Sequence, residues 1–344
     1  MARLASIGLE TRDTSEFTTI STNFCTASST AAHSGTYAMR MYAGSTYASF
    51  QTVSLTEFYL GFWINHNGAG GLTATLVSWW AGATQLGSVR LNINTHTVGV
   101  YTSTGTLVAT STLTITKSTW HHVQVHVKYA DSGNIDVKLD GADAITYAGD
   151  TKPGSDAAIL LILMGTSVSS QDFSNYAYLD DIVLNDTAGG VDDSWPGDVR
   201  LVPFFPSSAG NAAQFTPNTG TNVAAVDDCA SGVHDSDTTY NSVGAVDQVD
   251  SFVATNPTLP AGTVSAVIVK TIARKTDAGV ATLIAPFIRS ATTDSAPTDC
   301  ALPASYGAVL AENRWLLDPA DSAAWTSAKV NALEIGYKSR GVYA

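Results

Sequence analysis

Residues 120–141 constrain the fold of this chain more than any other segment. Over residues 120–128 the side chains alternate in character at every second position, which is typical of a β-strand. Residues 131–134 have the composition of a turn, a second strand is predicted from Asn134 to Lys138, and Asp140 and Gly141 form another turn signal. The segment therefore predicts a hairpin inside an antiparallel sheet.

Further short strands are predicted along the rest of the chain, among them Ala38 to Tyr42 and Tyr176 to Leu184. Turn residues separate the predicted strands about every eight to twelve positions, which is the rhythm of a β-sandwich. The 344 residues are too many for one ordinary sandwich. The fold class predicted is all-β, with two jelly-roll-like β-sandwich domains over residues 1–185 and 199–344. A short linker rich in Gly and Asp, with one Pro, is placed at residues 186–198.

In the second domain we predict a first strand at residues 199–205 and a hairpin that joins residues 264–273 to residues 280–289. One short helix is expected from Ser327 to Leu333, with Thr326 as its N-cap. Its apolar side is expected to turn Trp325, Val330 and Leu333 inward.

The charge of the chain excludes two classes of partner. Acidic residues number 30 against 17 Lys and Arg, a net charge of −13, and such a surface repels nucleic acids and anionic lipids. No apolar run approaches the roughly 20 residues of a membrane helix, and the first residues do not resemble a signal peptide. We expect a soluble protein made in a cytosol, with no nucleic-acid and no membrane partner.

The cysteines and histidines do not predict a metal centre. Cys25, Cys229 and Cys300 are far apart in sequence and are expected to be reduced, although a Cys229–Cys300 disulfide stays open. His122 and His126 share one face of a strand but lie ~13 Å apart, too far to ligate one ion.

No sequence motif for a nucleophile, a catalytic zinc or a phosphate loop is present. Asp180 and Asp181 are adjacent in a strand and are expected to face opposite sides, so they do not form a catalytic pair. The chain is therefore predicted not to be an enzyme and to have no catalytic residues.

A possible sugar site is predicted from aromatic and amide side chains. Trp79 and Trp80 offer ring faces, and Asn65, His66 and Asn67 follow an aromatic strand. Because adjacent strand residues point in opposite directions, at least one tryptophan is expected in the core, and a subunit interface would explain the other equally well.

The Trp120-His121-x-Val123 and Leu139-Asp140-Gly141 motifs resemble a hairpin of laminin-G and concanavalin-like sandwiches. Those families are more often binding or structural modules than enzymes. Residues 8–11, 33–38 and 178–184 are also similar to carbohydrate-binding modules, in which an N-terminal Glu and an acid of the last strand hold a structural calcium. The resemblance implies Glu10 and Asp180 or Asp181 as calcium ligands; the alternative is hydrogen-bonded or surface acids, with no cofactor required.

The chain resembles structural proteins of tailed-bacteriophage virions, the minor tail or head-decoration proteins, over roughly its whole length and most clearly in its second half. The residues that carry this resemblance are 193–200, 235–240, 266–289, Trp315, Asp318, Pro319 and 325–336. This resemblance implies a non-enzymatic virion component, associated with the tail or fibre or decorating the capsid, that contacts other virion proteins and self-associates in multiple copies. It implies location in the virion after synthesis in a host cytoplasm. The alternative function is a glycan-binding adhesin that recognises sugars on the host surface.

Overall fold

Strands and turns make up nearly all the regular structure of the chain. The structure is a computed structural model that describes residues 3–21, 25–42, 46–68, 73–152, 154–156, 158–165, 173, 175–276, 279–296, 298–308 and 313–341, without the side chains of residues 51–53 and 308. Residues 1–201 form one compact unit and residues 202–344 form another. The predicted all-β class with two domains is confirmed, and the segment predicted as a linker, residues 186–198, belongs to the first unit.

The first unit contains fifteen described strands. They are β1 (Arg3–Ile7), β2 (Thr19–Ile20), β3 (Cys25–Ser28), β4 (Ala38–Tyr42), β5 (Tyr47–Leu55), β6 (Glu57–His66), β7 (Thr73–Ala81), β8 (Thr84–Asn92), β9 (Thr97–Thr102), β10 (Leu107–Thr114), β11 (His121–Lys128), β12 (Gly133–Leu139), β13 (Ala142–Gly149), β14 (Ile159–Gly165) and β15 (Tyr176–Asn185).

These strands form two antiparallel sheets. The eight-stranded sheet has the order β13-β12-β11-β6-β15-β4-β3, with β1 also paired to β15, and the seven-stranded sheet has the order β10-β9-β8-β7-β14-β5-β2. The hairpin predicted at residues 120–141 is confirmed, because β11 and β12 pair from Val123 with Leu139 to Lys128 with Asn134.

One hydrophobic core lies between the two sheets. Alternate residues of β6 and β11 are fully buried in it, and so are residues of β7 and β8 from the other sheet. Phe58 of β6 meets Trp79 of β7 edge-on, with ring centroids 6.2 Å apart. The period-two pattern read from the sequence is thus the pattern of side chains packed between two sheets.

The second unit is built from shorter elements. They are β16 (Pro206–Ala213), β17 (Thr216–Pro217), α1 (Asp228–Ser231), β18 (Asn241–Ser242), β19 (Val249–Ala254), β20 (Val267–Val269), β21 (Ile272–Ala273), β22 (Ala281–Ser290), β23 (Thr293–Asp294), β24 (Cys300–Ala301), β25 (Gly307–Ala308), β26 (Asn313–Trp315), α2 (Ser327–Val330) and β27 (Glu334–Gly341).

A six-stranded sheet in the order β16-β19-β27-β22-β23, with β24 on β22, organises this unit, and three two-stranded sheets accompany it: β17-β18, β20-β26 and β21-β25. Side chains of β20, β22 and α2 share one apolar cluster. Trp325, Val330 and Leu333 are buried there, as predicted. The Thr326 cap is also confirmed, because its side chain accepts the N–H of Lys329, but the helix ends at Val330 rather than Leu333.

Two local predictions for the second unit are wrong. Residues 199–205 form no strand, and the first strand begins at Pro206. The predicted hairpin does not form either, because Val267–Val269 pairs with Asn313–Trp315 and Ile272–Ala273 pairs with Gly307–Ala308. Apolar alternation identified these strands but carries no information on distant partners.

The three cysteines are present as thiols rather than in disulfides, and burial raises the pKa of Cys25 to about 12. Among the described helices there is none with the length and hydropathy of a membrane span.

The adjacent tryptophans of β7 test the assignment of core and surface. Trp79 is 1% exposed, and its ring lies over Gly87, where a Cβ would collide with it. Replacing Trp79 by Ala should lower the free energy of unfolding by about 3–5 kcal/mol, because it opens a cavity between the sheets. Replacing the half-buried Trp80 by Ala should lower the free energy of unfolding by clearly less. Urea unfolding of both variants measures the difference, and equal losses would contradict this assignment.

Candidate functional site

The face of the eight-stranded sheet opposite the core carries aromatic and ionisable side chains. In β6 the apolar side chains of Phe58, Leu60, Phe62 and Ile64 are fully buried in the core. Strand alternation therefore places Tyr59, Trp63 and Asn65 on the outer face. The neighbouring strand β15 continues this surface, because Asp180 pairs with Trp63 and Tyr178 pairs with Asn65.

A β-bulge at Asp181 interrupts β15. Asp180 is paired with Trp63, and the next regular pair joins Val183 to Gly61, so two residues of β15 oppose one residue of β6. Asp181 adopts the left-handed backbone conformation, with φ of 49°, which Asp tolerates better than most residues. The bulge breaks the alternation from which Asp180 and Asp181 were expected to face opposite sides.

Both carboxylates consequently bind the same dipeptide. Asp180 Oδ2 accepts the backbone N–H groups of His33, at 2.7 Å, and of Ser34, at 3.1 Å. Asp181 Oδ1 accepts the Ser34 hydroxyl at 2.6 Å, and Asp181 Oδ2 lies 2.8 Å from His33 Nδ1. Two acids that are adjacent in sequence therefore hold a loop that is far away in the chain.

Burial and the neighbouring carboxylate change the protonation of this pair. Burial first, and then the charge of Asp181, raise the pKa of Asp180 to about 8, although three backbone N–H donors favour the ionised form. The Asp180 carboxyl therefore binds its proton more tightly than an ordinary Asp does.

A stack of aromatic rings runs across the sheet from the acid pair. The His33 ring stacks on Trp63 with centroids 3.7 Å apart, and Trp63 stacks on His122 at 5.2 Å. Burial lowers the pKa of His122, which keeps that ring neutral. Within this stack His122 is buried, and His33 and Trp63 are half-buried.

Part of this burial comes from the segment that the sequence indicated as a linker, residues 186–198. Trp63 Nε1 donates to Asp198 Oδ1 at 3.2 Å, and the N–H of Gly197 donates to Gln124 Oε1 at 2.8 Å. The segment thus pairs its polar groups with the outer face of the sheet.

The residues predicted to bind calcium contact neighbouring loop positions. Glu10 Oε1 accepts the N–H groups of Thr36 and Tyr37 at 2.7 and 2.8 Å, and burial raises the pKa of Glu10. Asp180 and Asp181 hold the preceding dipeptide, as described above. Within the described ranges no three acidic, His or Cys side chains form a group that could hold a metal ion. Calcium binding by these acids stays a prediction.

A second cluster lies on the same face, where β4 runs beside β15. Arg40 is paired with Tyr178, and Tyr42 is paired with Tyr176. The guanidinium carbon of Arg40 lies 4.3 Å from the ring centroid of Tyr42, 4.7 Å from that of Tyr176 and 5.8 Å from that of Tyr178. Three aromatic rings thus surround one cation.

Two of the predicted sugar-binding residues border this cluster. Asn65 is paired with Tyr178, and Asn67 Nδ2 donates to the Tyr176 hydroxyl at 2.8 Å. We call the whole group the Arg40 patch; its members are Arg40, Tyr42, Asn65, Asn67, Tyr176 and Tyr178. All of them except the buried Tyr178 are half-buried and reach the surface.

The other predicted sugar-binding residues lie elsewhere. His66 is buried, its Nε2 bonds to the carbonyl of Ile115 at 3.1 Å, and burial lowers its pKa. Trp79 and Trp80 belong to the seven-stranded sheet, where Trp79 is in the core and Trp80 Nε1 donates to Ser78 Oγ at 2.9 Å. The structure therefore brings together only Asn65 and Asn67 of the five.

Arg40 and the three tyrosines of the patch were not among the residues predicted to bind a sugar. Arg40 and Tyr42 are two residues apart on a predicted strand, and so are Tyr176 and Tyr178. This spacing places each pair on one face of its strand, and the sequence alone could have shown that each pair shares a face. The pairing of β4 with β15, which joins the two faces, has no local signal.

Arg40 lacks the carboxylate partner that several arginines of this acidic chain have. In the described part of the chain, Arg3, Arg200, Arg274, Arg289 and Arg340 each lie within 4.0 Å of an Asp carboxylate. Arg40 has no carboxylate within 4.0 Å in the part of the chain that the structure describes, and its buried Nε has no hydrogen-bond partner there. Its described contacts are aromatic rings.

Comparison with known proteins adds information on architecture only. No family model matches the sequence, and no curated protein matches it. The chain is similar to a solved endo-β-1,4-glucuronan lyase from the fungus Trichoderma reesei, at 12% identity and a TM-score of 0.39 over 52% of this chain and 94% of the lyase. It is similar to an alginate lyase from Aplysia kurodai, at 12% identity and a TM-score of 0.41 over 54% of this chain and 99% of that one.

A Trypanosoma rangeli sialidase is also similar, at 12% identity and a TM-score of 0.37 over 49% of this chain and 28% of the sialidase. TM-scores below 0.5 do not decide what this chain binds or does. The prediction that the chain is not an enzyme is contradicted, because it took sandwiches of this kind for binding or structural modules, whereas the similar structures named above are two lyases and a sialidase. The virion location, the virion partners and self-association stay predictions, and none of the similar structures named here is a phage protein.

The raised pKa of Asp180 predicts how stability depends on pH. Because the folded-state pKa of about 8 exceeds the usual value of an unfolded Asp, the folded protein binds the proton more tightly. The free energy of unfolding should therefore fall as pH rises from about 4 to about 8, by at most about 1.4 kcal/mol per pH unit from this group.

The variant Asp180→Asn should flatten this slope, whatever its absolute stability, because the titrating group is gone. Urea unfolding at several pH values measures the slope, with Asp131→Asn as the control for an exposed acid. An Asp180→Asn profile as steep as that of the unmodified protein would refute the assignment.

Proposed function

We propose that the first unit binds a saccharide on the outer face of its eight-stranded sheet, at the Arg40 patch. The proposal rests on one observation, the convergence of three tyrosine rings on Arg40 beside the amides of Asn65 and Asn67. This is the glycan-binding function that the sequence suggested as an alternative, at a site that shares two of the five predicted residues.

The chemistry of the patch suits a sugar ring. A tyrosine offers an apolar ring face for the C–H groups of a pyranose and a hydroxyl that donates and accepts hydrogen bonds. Amide side chains such as those of Asn65 and Asn67 present both donors and acceptors to sugar hydroxyls. Binding sites for small molecules generally combine apolar surface with a few placed polar groups in this way.

The patch is also held in place before any ligand arrives. The Tyr176 hydroxyl accepts a hydrogen bond from Asn67, and the rings of Tyr42 and Tyr176 pack on the Arg40 guanidinium. Side chains that are already ordered lose less conformational entropy on binding.

The buried acids support the patch from the side. Glu10, Asp180 and Asp181 bind the loop at residues 33–37 that leads directly into β4, the strand of Arg40 and Tyr42. The acid cluster therefore fixes the start of β4 against β15, and its role is to position the patch rather than to contact the sugar.

Replacing Tyr176 by Ala should weaken saccharide binding about tenfold or more, because it removes a ring face and the partner of Asn67. An array of neutral and acidic oligosaccharides identifies the ligand, and calorimetric titration then compares the unmodified protein with the variant.

The matched control is Trp80→Ala, which removes an aromatic ring from the other sheet of the same unit. It should bind the saccharide as tightly as the unmodified protein does. The proposal fails if no arrayed glycan binds, or if Tyr176→Ala binds normally while Trp80→Ala does not.

A further inference from the structure

The absence of a carboxylate beside Arg40 is unexpected from the composition of the chain. The chain has 30 acidic residues and only 17 Lys and Arg, so carboxylates that could pair with an arginine are in excess. Yet the structure places no Asp or Glu against the Arg40 guanidinium within the described residues, and its charge faces three phenol rings. A cation that has been partly removed from water and left without a counter-charge is costly unless something else binds it.

The rings leave the guanidinium partly unsatisfied. Cation–π contacts involve the faces of the rings and use none of the five N–H donors of the guanidinium. Within the described residues the buried Nε of Arg40 has no hydrogen-bond partner, and the side chain as a whole is half-buried, so that part of it reaches the surface of the patch. A carboxylate or a sulfate group can match such a fork, because two of its oxygens accept two parallel hydrogen bonds.

We infer that the saccharide bound at the Arg40 patch is acidic, with a carboxylate or sulfate group that Arg40 binds. This inference rests on the proposed saccharide-binding function and adds the chemical class of the ligand. The tyrosines bind the sugar ring, and the guanidinium selects an anionic substituent on it.

The net charge of −13 does not prevent this selection. At physiological ionic strength charges more than about 8 Å apart are largely screened, so the local contact at Arg40 dominates. Attraction over long distances is absent, and specificity resides in one short-range contact.

The test uses the full chain and an array of matched oligosaccharides that share one backbone and differ only at C6. Each set has a neutral member with a hydroxymethyl group, a uronic acid member with a carboxylate and a member with a sulfate ester. Glucose, mannose and galactose backbones are included. The bound members are then titrated by calorimetry with the unmodified protein, Arg40→Gln, Arg40→Lys and Arg289→Gln.

We expect at least one anionic member to bind about 10- to 100-fold more tightly than its neutral counterpart, as one charge-assisted contact provides. Arg40→Gln should abolish that preference. Arg40→Lys should keep only part of it, because an ammonium cannot form the two parallel bonds. Arg289→Gln, which removes one positive charge from the second unit, should keep the whole preference for the anionic member. Melting temperatures establish that each variant is folded.

The outcomes separate the inference from the proposed function. Preference for the carboxylate member identifies a uronic acid, and preference for the sulfate member identifies a sulfated sugar; either supports the inference. Equal binding of neutral and anionic members, or a preference that survives in Arg40→Gln and Arg40→Lys, overturns the inference and leaves saccharide binding intact. If no member of any set binds, both the inference and the proposed saccharide binding fail.

Discussion

The outer face of the eight-stranded sheet depends on the bulge at Asp181 in β15. Before the bulge this strand pairs with β4 through Tyr176 to Leu179, and after it the strand pairs with β1 through Ile182 to Asn185. The bulge thus lies where β15 changes its partner. It also turns the Asp181 carboxylate toward the loop that Asp180 binds, so that two buried acids and Glu10 together anchor the entry to β4. The position of Arg40 beside Tyr176 and Tyr178 follows from this arrangement.

Much of the fold was readable from the sequence where the signal is local. The hairpin at residues 120–141 follows from alternation and turn residues, the strand Ala38–Tyr42 has its predicted bounds, and Thr326 caps a helix as its side chain indicates. The bulge could not be predicted from the sequence, because the left-handed backbone conformation of a single Asp does not change the pattern of hydrophobic residues. The pairing of β4 with β15 joins residues more than 130 positions apart, and that distance is why Arg40 and its tyrosines were missed.

The two tryptophans differ in the same way. Adjacent Trp79 and Trp80 suggested a sugar site because large rings often bind sugars. Packing separates them, since Trp79 fills the space between the sheets, whereas the half-buried Trp80 hydrogen-bonds to Ser78 of its own strand. On the eight-stranded sheet, by contrast, three tyrosine rings surround the guanidinium of Arg40. Residue type alone is thus a weaker guide to a binding surface than the set of side chains that cross-strand pairing places on one face.

The central claim is that the Arg40 patch receives an acidic saccharide. A crystal structure of the protein with the anionic oligosaccharide that binds most tightly tests it most directly. The account predicts carboxylate or sulfate oxygens within hydrogen-bond distance of the Arg40 guanidinium nitrogens, with the sugar ring against Tyr42 or Tyr176. A saccharide bound on the seven-stranded sheet near Trp80, with the Arg40 patch empty, would contradict it.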